Sequence, residues 1–413
     1  MVRPELVALF MAILKKKCGS CHVRRRKFCG KAFAMCLALS SMIPPRRVRR
    51  YYVRPAHADH MDVRFITFDG YLGSMDETSF HEYTRLTPEE FAELHGRVAH
   101  RIVHSQTHRA PVSTMHRLAL TLRFLGHGSS FVATAHDHHL GKSTVRGVVY
   151  ECCQAIIEEF WSEAFPVPCR AAWQQSTDEF RDLWKYPRGV ASIDGKHFRC
   201  FAPTNSGSSF YNYKGYFSFV LLAVVSGAYR VLAFDLGGKG RNSDAGLFRT
   251  SGLKRFLERA VNNFPTGGDL GGEGAVDYHI LADGGFGQLT WMQRPFRQAE
   301  VGNDMLKAHF NRCFSSARRI VESVFGIICA RFRIFQRALI GTEDHCKLIV
   351  AAALVLHNLL VDRVSMQQLV QRYTPAVHEP LHEPLSRAVA GTEARLQRQR
   401  MVNYFARRDG LLR

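Results

Sequence analysis

The sequence predicts an α/β protein, a mixed sheet flanked by helices and preceded by an all-α region, and three observations carry that expectation. Residues 217–225 and 229–236 are nearly unbroken apolar runs separated by a turn at Gly227, the pattern of strands covered on both faces. Upstream of residue 160, Leu118, Leu122 and Leu125 recur at helical spacing, and the following stretches keep that period. Between 189 and 332 the periodicity switches repeatedly and reads β-β-β-α-β-β-α.

Composition sets the outer bounds. At 413 residues the chain exceeds what one core usually serves, so two or three units are expected. Apolar residues make up 46% and aromatics 11%, which excludes wholesale disorder. The formal net charge is +20, and its basic residues are spread along the chain, which favours a polyanionic partner, nucleic acid first. The 11 cysteines show no disulfide framework, and Cys18-Gly-Ser-Cys21 has no second CxxC or paired histidine, so free thiols in a reducing compartment are expected. No apolar run approaches the ~20 residues of a membrane helix. The apolar 7–14 stretch is followed, not preceded, by Lys15-Lys16-Lys17, which disfavours a secretory signal. A soluble intracellular protein without a membrane partner is the expectation.

Taken in order, residues 1–45 alternate basic clusters such as Arg24-Arg25-Arg26-Lys27 with apolar patches and read as a poorly ordered basic extension or a DNA-touching arm. The 46–112 region reads as helical. Thr87-Pro88-Glu89-Glu90 starts a helix, with Thr87 as cap, Pro88 at the first position and Glu90 closing a capping box. Phe91, Leu94 and Val98 form its apolar face. Residues 113–160 read as a helix-turn-helix or a plain helical bundle. Ser113 caps the first helix, Gly126 and Gly128 end it, a short helix covers 131–135, and a turn at 136–141 precedes the last. In a DNA-reading helix of that placement, Lys142, Ser143, Thr144 and Arg146 are the candidate contacts. The run His136-Asp137-His138-His139 lacks a cysteine or carboxylate at metal-ligand spacing.

Residues 171–185 read as a polar, Gln-rich connection, and the α/β unit spans 186–362. Its strands are expected over 190–193 continuing through 197–201, then 217–225, 229–236, 278–282 and 291–296. Helices are expected over 245–261, 315–332 and 348–360, the last apolar nearly throughout, with a glycine-rich loop at 266–274. The 363–413 tail is polar and basic, without a motif.

Three carboxylates stand out on these elements. Asp194 and Asp283 each follow a short apolar run, and Glu322 lies beside the apolar stripe of a helix. Singly, each has a plain reading: Asp194-Gly195 as a hairpin turn, Asp283-Gly284-Gly285 as a loop turn, and Glu322 as an i,i+4 partner of Arg318. Together, Asp194, Asp283 and Glu322 would make a two-metal site for Mg²⁺ or Mn²⁺ acting on phosphodiesters. Lys196, Arg199, Arg241, Arg318 and Arg319 are then the candidate phosphate contacts.

The motifs Ile193-Asp194-Gly195-Lys196-His197, Asn242-Ser243-Asp244-Ala245, Ala282-Asp283-Gly284-Gly285-Phe286, Arg318-Arg319-Ile320-Val321-Glu322-Ser323-Val324-Phe325-Gly326, Arg331-Phe332-Arg333 and Leu356-His357-Asn358 carry a resemblance. From about 46 to 360 the chain resembles the PIF/Harbinger group of DDE transposases and the nucleases derived from them. The resemblance implies an RNase H-like core with Asp194, Asp283 and Glu322 as catalytic metal ligands, and an N-terminal helix-turn-helix. It also implies cutting of double-stranded DNA at terminal repeats, joining to A/T-rich targets, and a separate Myb-like partner. A homodimer that pairs two ends and residence in the nucleus, with a cytoplasmic pool, go with that reading. The family's Tyr-Pro after the second aspartate is absent from Gly284-Gly285-Phe286-Gly287, and a basic residue is replaced near Cys329. The alternative is a domesticated, catalytically silent DNA-binding protein on the same fold. A ribonuclease acting on hybrids follows from the fold alone.

Overall fold

The centre of the computed structural model is a five-stranded mixed sheet in the order β3 (Val231–Lys239), β2 (Ser218–Val225), β1 (Gly189–Arg199), β6 (His279–Leu281) and β7 (Met292–Gln293). The structure describes residues 68–106, 111–203, 206–375 and 391–412, all within a compact unit spanning Asp59–Arg413. The 1–45 extension, its CxxC and the start of the 46–112 region lie outside the described residues.

Upstream of the sheet come helices α1 (Glu77–Thr84), α2 (Pro88–Ile102), α3 (Thr114–His127), α4 (Phe131–Asp137), α5 (Lys142–Ala164) and α6 (Arg170–Trp184). Their starts follow the side-chain chemistry. Thr87 and Glu90 form the expected capping box, and the Ser113 and Ser130 hydroxyls accept backbone N–H groups at the starts of α3 and α4. Phe91, Leu94 and Val98 are buried as expected. Helix α3 runs through Gly126 and stops at Gly128, whose left-handed φ of 68° suits a residue without a Cβ. The histidine run ends α4 with His136 and Asp137 and enters the α4–α5 turn with His138 and His139. Buried His138 sets its Nδ1 2.9 Å from Nε2 of His116, in the core rather than on an open face.

The 171–185 stretch differs from the expected connection: it is helix α6, docked on the sheet. Trp173 is fully buried against Phe264, and the Ser176 hydroxyl donates to the Val190 carbonyl at 2.7 Å. Gln174, Asp178 and Asp182 lie on its outer face, whereas Ser176 and Thr177 are buried with their hydroxyls bonded to backbone carbonyls.

Strands β1 (Gly189–Arg199), β2 (Ser218–Val225) and β3 (Val231–Lys239) are antiparallel, whereas β6 (His279–Leu281) and β7 (Met292–Gln293) continue from β1 in parallel. β1 runs unbroken through Asp194-Gly195, so the hairpin reading is corrected. Asp194 pairs with Ala223 and Gly195 with Leu222, and this partner strand keeps the chain extended. The 266–274 loop is instead a small hairpin of β4 (Gly268–Asp269) and β5 (Ala275–Val276), closed by the Asp269 carboxylate accepting the N–H groups of Gly272 and Gly274.

One sheet face is covered by α7 (Asp244–Thr250) and α8 (Gly252–Ala260), with Ile193, Leu222, Leu253 and Leu257 in a shared apolar cluster. The helix expected over 245–261 is two, because extended Ser251 interrupts it and caps the second through Lys254 N–H. The other face packs on α10 (Met305–Arg318), α11 (Ile320–Arg331) and α12 (Glu343–Val361), after the one-turn α9 (Gln298–Val301). Here too the expected single helix is divided, at Arg319. Helix α12 has the length and apolarity of a membrane span, but its side chains are mostly buried in the protein. Asn358 bonds both backbone groups of Val231 and the Ala164 carbonyl, so the Leu356-His357-Asn358 motif joins α12 to β3 and α5. Buried Arg331 donates to the Leu356 carbonyl at 2.7 Å.

The C-terminal tail holds α13 (Met366–Arg372) and α14 (Thr392–Arg408). Far from lacking structure, α14 buries Met401, Val402, Phe405 and Ala406, with Phe405 against Tyr186 and Phe310.

Two buried histidines give the fold an acid limit. Burial pushes His279, beside the Tyr186 hydroxyl, and His357, which donates from Nε2 to the Tyr229 carbonyl, down to about 4. Their folded values lie below the unfolded 6.5, so their neutral forms stabilise the fold above that pH and the contribution is lost as pH falls towards 4. Denaturant midpoints measured between pH 7 and pH 4 are expected to drop, with each histidine contributing about 3 kcal/mol. A flat profile would show that both histidines are already solvated.

Candidate active site

The site forms where the sheet opens. β1 and β6 lie side by side in parallel, with Ser192 opposite Leu281 as the last pair, and their next partners, β2 and β7, lie on opposite sides. Such a switch point leaves a crevice beyond the carboxyl end of the shorter strand. Two residues past the last pair, the register sets Asp194 beside Asp283 on the same face. Each aspartate accepts the N–H of the residue after it, Gly195 at 2.9 Å and Gly284 at 2.5 Å, which fixes its rotamer. Asp283 therefore is a turn residue, as its sequence suggested, and a member of the site. Asp194 is at mid-strand; the neighbouring strand ends, not its own.

Glu322 arrives from the first turn of α11. Arg318, at the end of α10, donates to Asp194 at 3.1 Å and to Glu322 at 2.5 Å. The Arg318–Glu322 pair is not a surface bridge: the Arg318, Asp194 and Glu322 side chains are only 15%, 14% and 24% exposed. The Ser192 hydroxyl, one strand period before Asp194, donates to the Arg318 carbonyl at 3.0 Å and pins the helix end to β1.

Electrostatics follow from this crowding. Burial pushes the Asp194 carboxyl up to about 7, Arg318 opposes that shift, and the Asp283 and Glu322 charges add to it. Burial also disfavours the Arg318 charge, but Asp194, Glu322 and Asp283 outweigh it and hold its pKa above the ordinary value. One guanidinium thus faces three carboxylates, and the site is short of positive charge. Hard oxygen donors in that state fit divalent cations. Among the described residues, only the ligand atoms of His309, Cys313 and Asp409 lie within 4.8 Å of one another as a trio.

The His309–Cys313–Asp409 trio has a different character. His309 meets Asp409 at 2.6 Å, while Arg408 pairs with Asp409 and Arg312 donates to His309 Nδ1. Two guanidiniums at its edge make it an ion-paired link between α10 and α14.

The other residues singled out from the sequence fall into two groups. Lys196 follows on β1 on the Asp194 face, exposed Arg319 is beside Arg318, and Arg199 stacks over Tyr216 at 4.2 Å at the exposed end of β1. Exposed Arg241 donates its N–H to the Ser209 carbonyl. Lys142, Ser143, Thr144 and Arg146 are all exposed on the first turns of α5, and no hydrogen bond or ion pair joins them to the carboxylates.

Two residues to which the sequence assigned no role also shape the site. Ser192 is the only polar residue in Val190-Ala191-Ser192-Ile193, a signal of a specific partner. Asp244, buried at the start of α7, packs its carboxylate on the Cα of Gly195, where any Cβ would fall inside it. Glycine at 195 is thus a packing requirement, and Asp244 backs the strand that carries Asp194.

Comparison with known proteins agrees with this geometry. Residues 193–358, which hold all three carboxylates, match the family model described as DDE superfamily endonuclease. The chain is 22% identical over 304 residues to the Arabidopsis thaliana protein named Protein ALP1-like, covering 71% of this chain and 73% of that one. No solved structure matches. Residues 193–358 thus carry a domain similar to DDE superfamily endonucleases, and both comparisons support a relationship to the DDE transposase-related family.

Proposed function

We propose that the protein is a divalent-metal-dependent DNA endonuclease of PIF/Harbinger type, cutting double-stranded DNA at transposon ends with strand transfer to A/T-rich targets. The observation that carries this reading is the charge-deficient cluster of Asp194, Asp283 and Glu322 at the β1–β6 crevice. Asp194, Asp283 and Glu322 hold Mg²⁺ or Mn²⁺, which when bound supplies activation of the attacking oxygen and charge stabilisation at the leaving oxygen. Ser192 and Asp244 hold β1 and α10 in place, and Arg318 keeps the carboxylates from repelling one another. Lys196, Arg199, Arg241 and Arg319 bind the phosphate backbone. Lys142, Ser143, Thr144 and Arg146 enter the major groove from an N-terminal helix-turn-helix. This reading divides the chain into a basic extension 1–45, a helical region 46–112, a DNA-binding region 113–160, an RNase H-like nuclease domain 186–362 and a basic tail 363–413. Nuclear residence, a Myb-like accessory partner and a homodimer pairing two DNA ends complete it.

One observation favours a second reading, a catalytically silent DNA-binding protein: Arg318 already neutralises two of the three ligands. A labelled duplex panel incubated with purified protein and Mg²⁺, Mn²⁺ or EDTA separates the two. Metal-dependent nicking is expected, with binding that weakens by ~0.9 log units per log unit of salt for each phosphate contacted. Salt-sensitive binding without nicking in any metal favours the silent protein.

A further inference from the structure

The last turn of α3 lies between arginines that no carboxylate neutralises. On one side Arg85 runs along the helix so closely that a Cβ on Gly126 would fall 2.7 Å from its Cγ. On the other, Gly128 lies against the turn that follows α11, where a Cβ would fall 2.7 Å from the Arg333 carbonyl oxygen. Arg337, from the end of that turn, donates to the Gly128 carbonyl. Arg123 is one helical turn before His127 on the same face, its guanidinium 4.4 Å from the centre of the Tyr83 ring. His127, whose Nε2 donates to the Glu82 carbonyl at 2.7 Å, registers the crowding. Burial lowers its pKa most, and the charges of Arg123, Arg85 and Arg333 lower it further.

A helix end explains one of these cations. The C-terminus of α3 carries about half a negative charge, which accounts for Arg337 but not for four guanidiniums. Other arginines of the helical region are ion-paired, Arg97 with Glu159, Arg101 with Glu158 and Arg117 with Glu151. Among the described residues, Arg85, Arg123, Arg333 and Arg337 form no ion pair with a carboxylate, and the Arg85 Nε is buried without an acceptor. Arg333 and Arg337 are exposed, and Arg85 and Arg123 half-buried. Like charges held together in this way favour an incoming anion. All four are arginine, whose planar fork meets phosphate oxygens in pairs.

The corner also joins the two parts of the fold. Arg85 and Arg123 come from the helical region, Arg333 and Arg337 from the α/β unit. Two residues beyond Arg337, the Leu339 N–H donates to the Arg199 carbonyl at the end of β1, at 2.9 Å. In the other direction Phe124 stacks on Phe131 at 4.6 Å, and Arg146 lies 5.6 Å from the centre of the Phe131 ring. One packed aromatic pair thus separates the corner from the first turns of α5.

We infer that Arg85, Arg123, Arg333 and Arg337 form a binding surface for the phosphate backbone of duplex DNA. It positions the duplex across the junction of the helical and α/β parts without reading its sequence. This inference rests on the DNA reading proposed above, and its test separates the two.

The full chain in EDTA is titrated by anisotropy with labelled duplexes of several sequences, at salt concentrations from about 50 to 200 mM. Arg333→Ala combined with Arg337→Ala is expected to weaken every duplex alike and to flatten the dependence of log Kd on log salt by about 2 units. Arg333→Lys combined with Arg337→Lys is expected to keep the slope. Arg181→Ala combined with Lys254→Ala removes the same charge from ion-paired positions and is expected to leave the slope unchanged. An unchanged slope in the Arg333 and Arg337 alanine pair overturns the surface and leaves the DNA reading standing. So does an equal loss in the control pair, or a lysine pair that behaves like the alanine pair. Absence of DNA binding by the unmodified protein overturns both. Phenylglyoxal labelling of the unmodified protein, mapped by mass spectrometry, decides the matter even if the alanine pair fails to fold. DNA is expected to protect Arg333 and Arg337, and equal labelling with and without DNA overturns the surface.

Discussion

Asp194→Asn and Glu322→Gln are each expected to lower metal-dependent nicking by about three orders of magnitude or more while leaving DNA binding in EDTA intact. The scale is that of deleting one charged contact that stabilises a developing oxyanion. Asp194→Asn carries a second expected result. The Asp194 carboxyl, pushed up to about 7 by burial against an unfolded value of 3.8, contributes stability that is full below that value and is lost as pH rises through about 7. Asparagine does not titrate, so the metal-free variant is expected to melt above the unmodified protein at pH 8, with the gap closing towards pH 4. Nicking rates and thermal melts in EDTA at both ends of that range check the pair. Undiminished nicking by either variant would remove the carboxylates from the mechanism. A variant less stable at pH 8 would show that the Arg318–Asp194 ion pair outweighs the desolvation of the carboxylate.

Removal of residues 391–413 is expected to abolish cooperative folding, although this segment contributes no residue to the proposed catalytic site. Phe405 is fully buried between Tyr186 and Phe310, and Met401 and Val402 are 1% exposed. The helix also satisfies backbone groups of the sheet edge. Gln397 donates to the carbonyls of Asp277 and Thr290, which flank β6 and β7, and Gln288 donates to the Ala394 carbonyl. Its loss would expose an aromatic surface and remove the Gln397 bond to the Thr290 carbonyl and the carbonyl that the Gln288 amide meets. Phe405→Ala, the milder change, is expected to cost about 3–5 kcal/mol in denaturant unfolding. A truncated chain that melts and nicks like the full one would mean that α14 is an appendage.

The readable parts of this protein are those whose physics is local. The Thr87–Glu90 capping box, the Ser113 cap, the unbroken strands β2 and β3 and the apolar stripe of α11 each follow from neighbours a few residues away. The same holds for the identity of the three carboxylates, which stand next to such elements. The corrections to Asp194-Gly195, to residues 171–185 and to the C-terminal tail come from partners distant in sequence. Asp194-Gly195 has turn chemistry, but pairing with β2 keeps it in a strand. The 171–185 stretch looks like a linker until Trp173 and Ser176 meet the sheet, and the basic tail looks featureless until Phe405 meets Phe310.

Sequence by itself determined the order of elements and which side chains could do chemistry, because periodicity, capping and residue type act over one or two turns. Tertiary structure alone decided that Arg318 sits among the carboxylates, that Asp244 backs Gly195 and that the site is short of positive charge. Those properties depend on burial and on the distances between charges, which arise only when β1, β6, α10 and α11 are brought together.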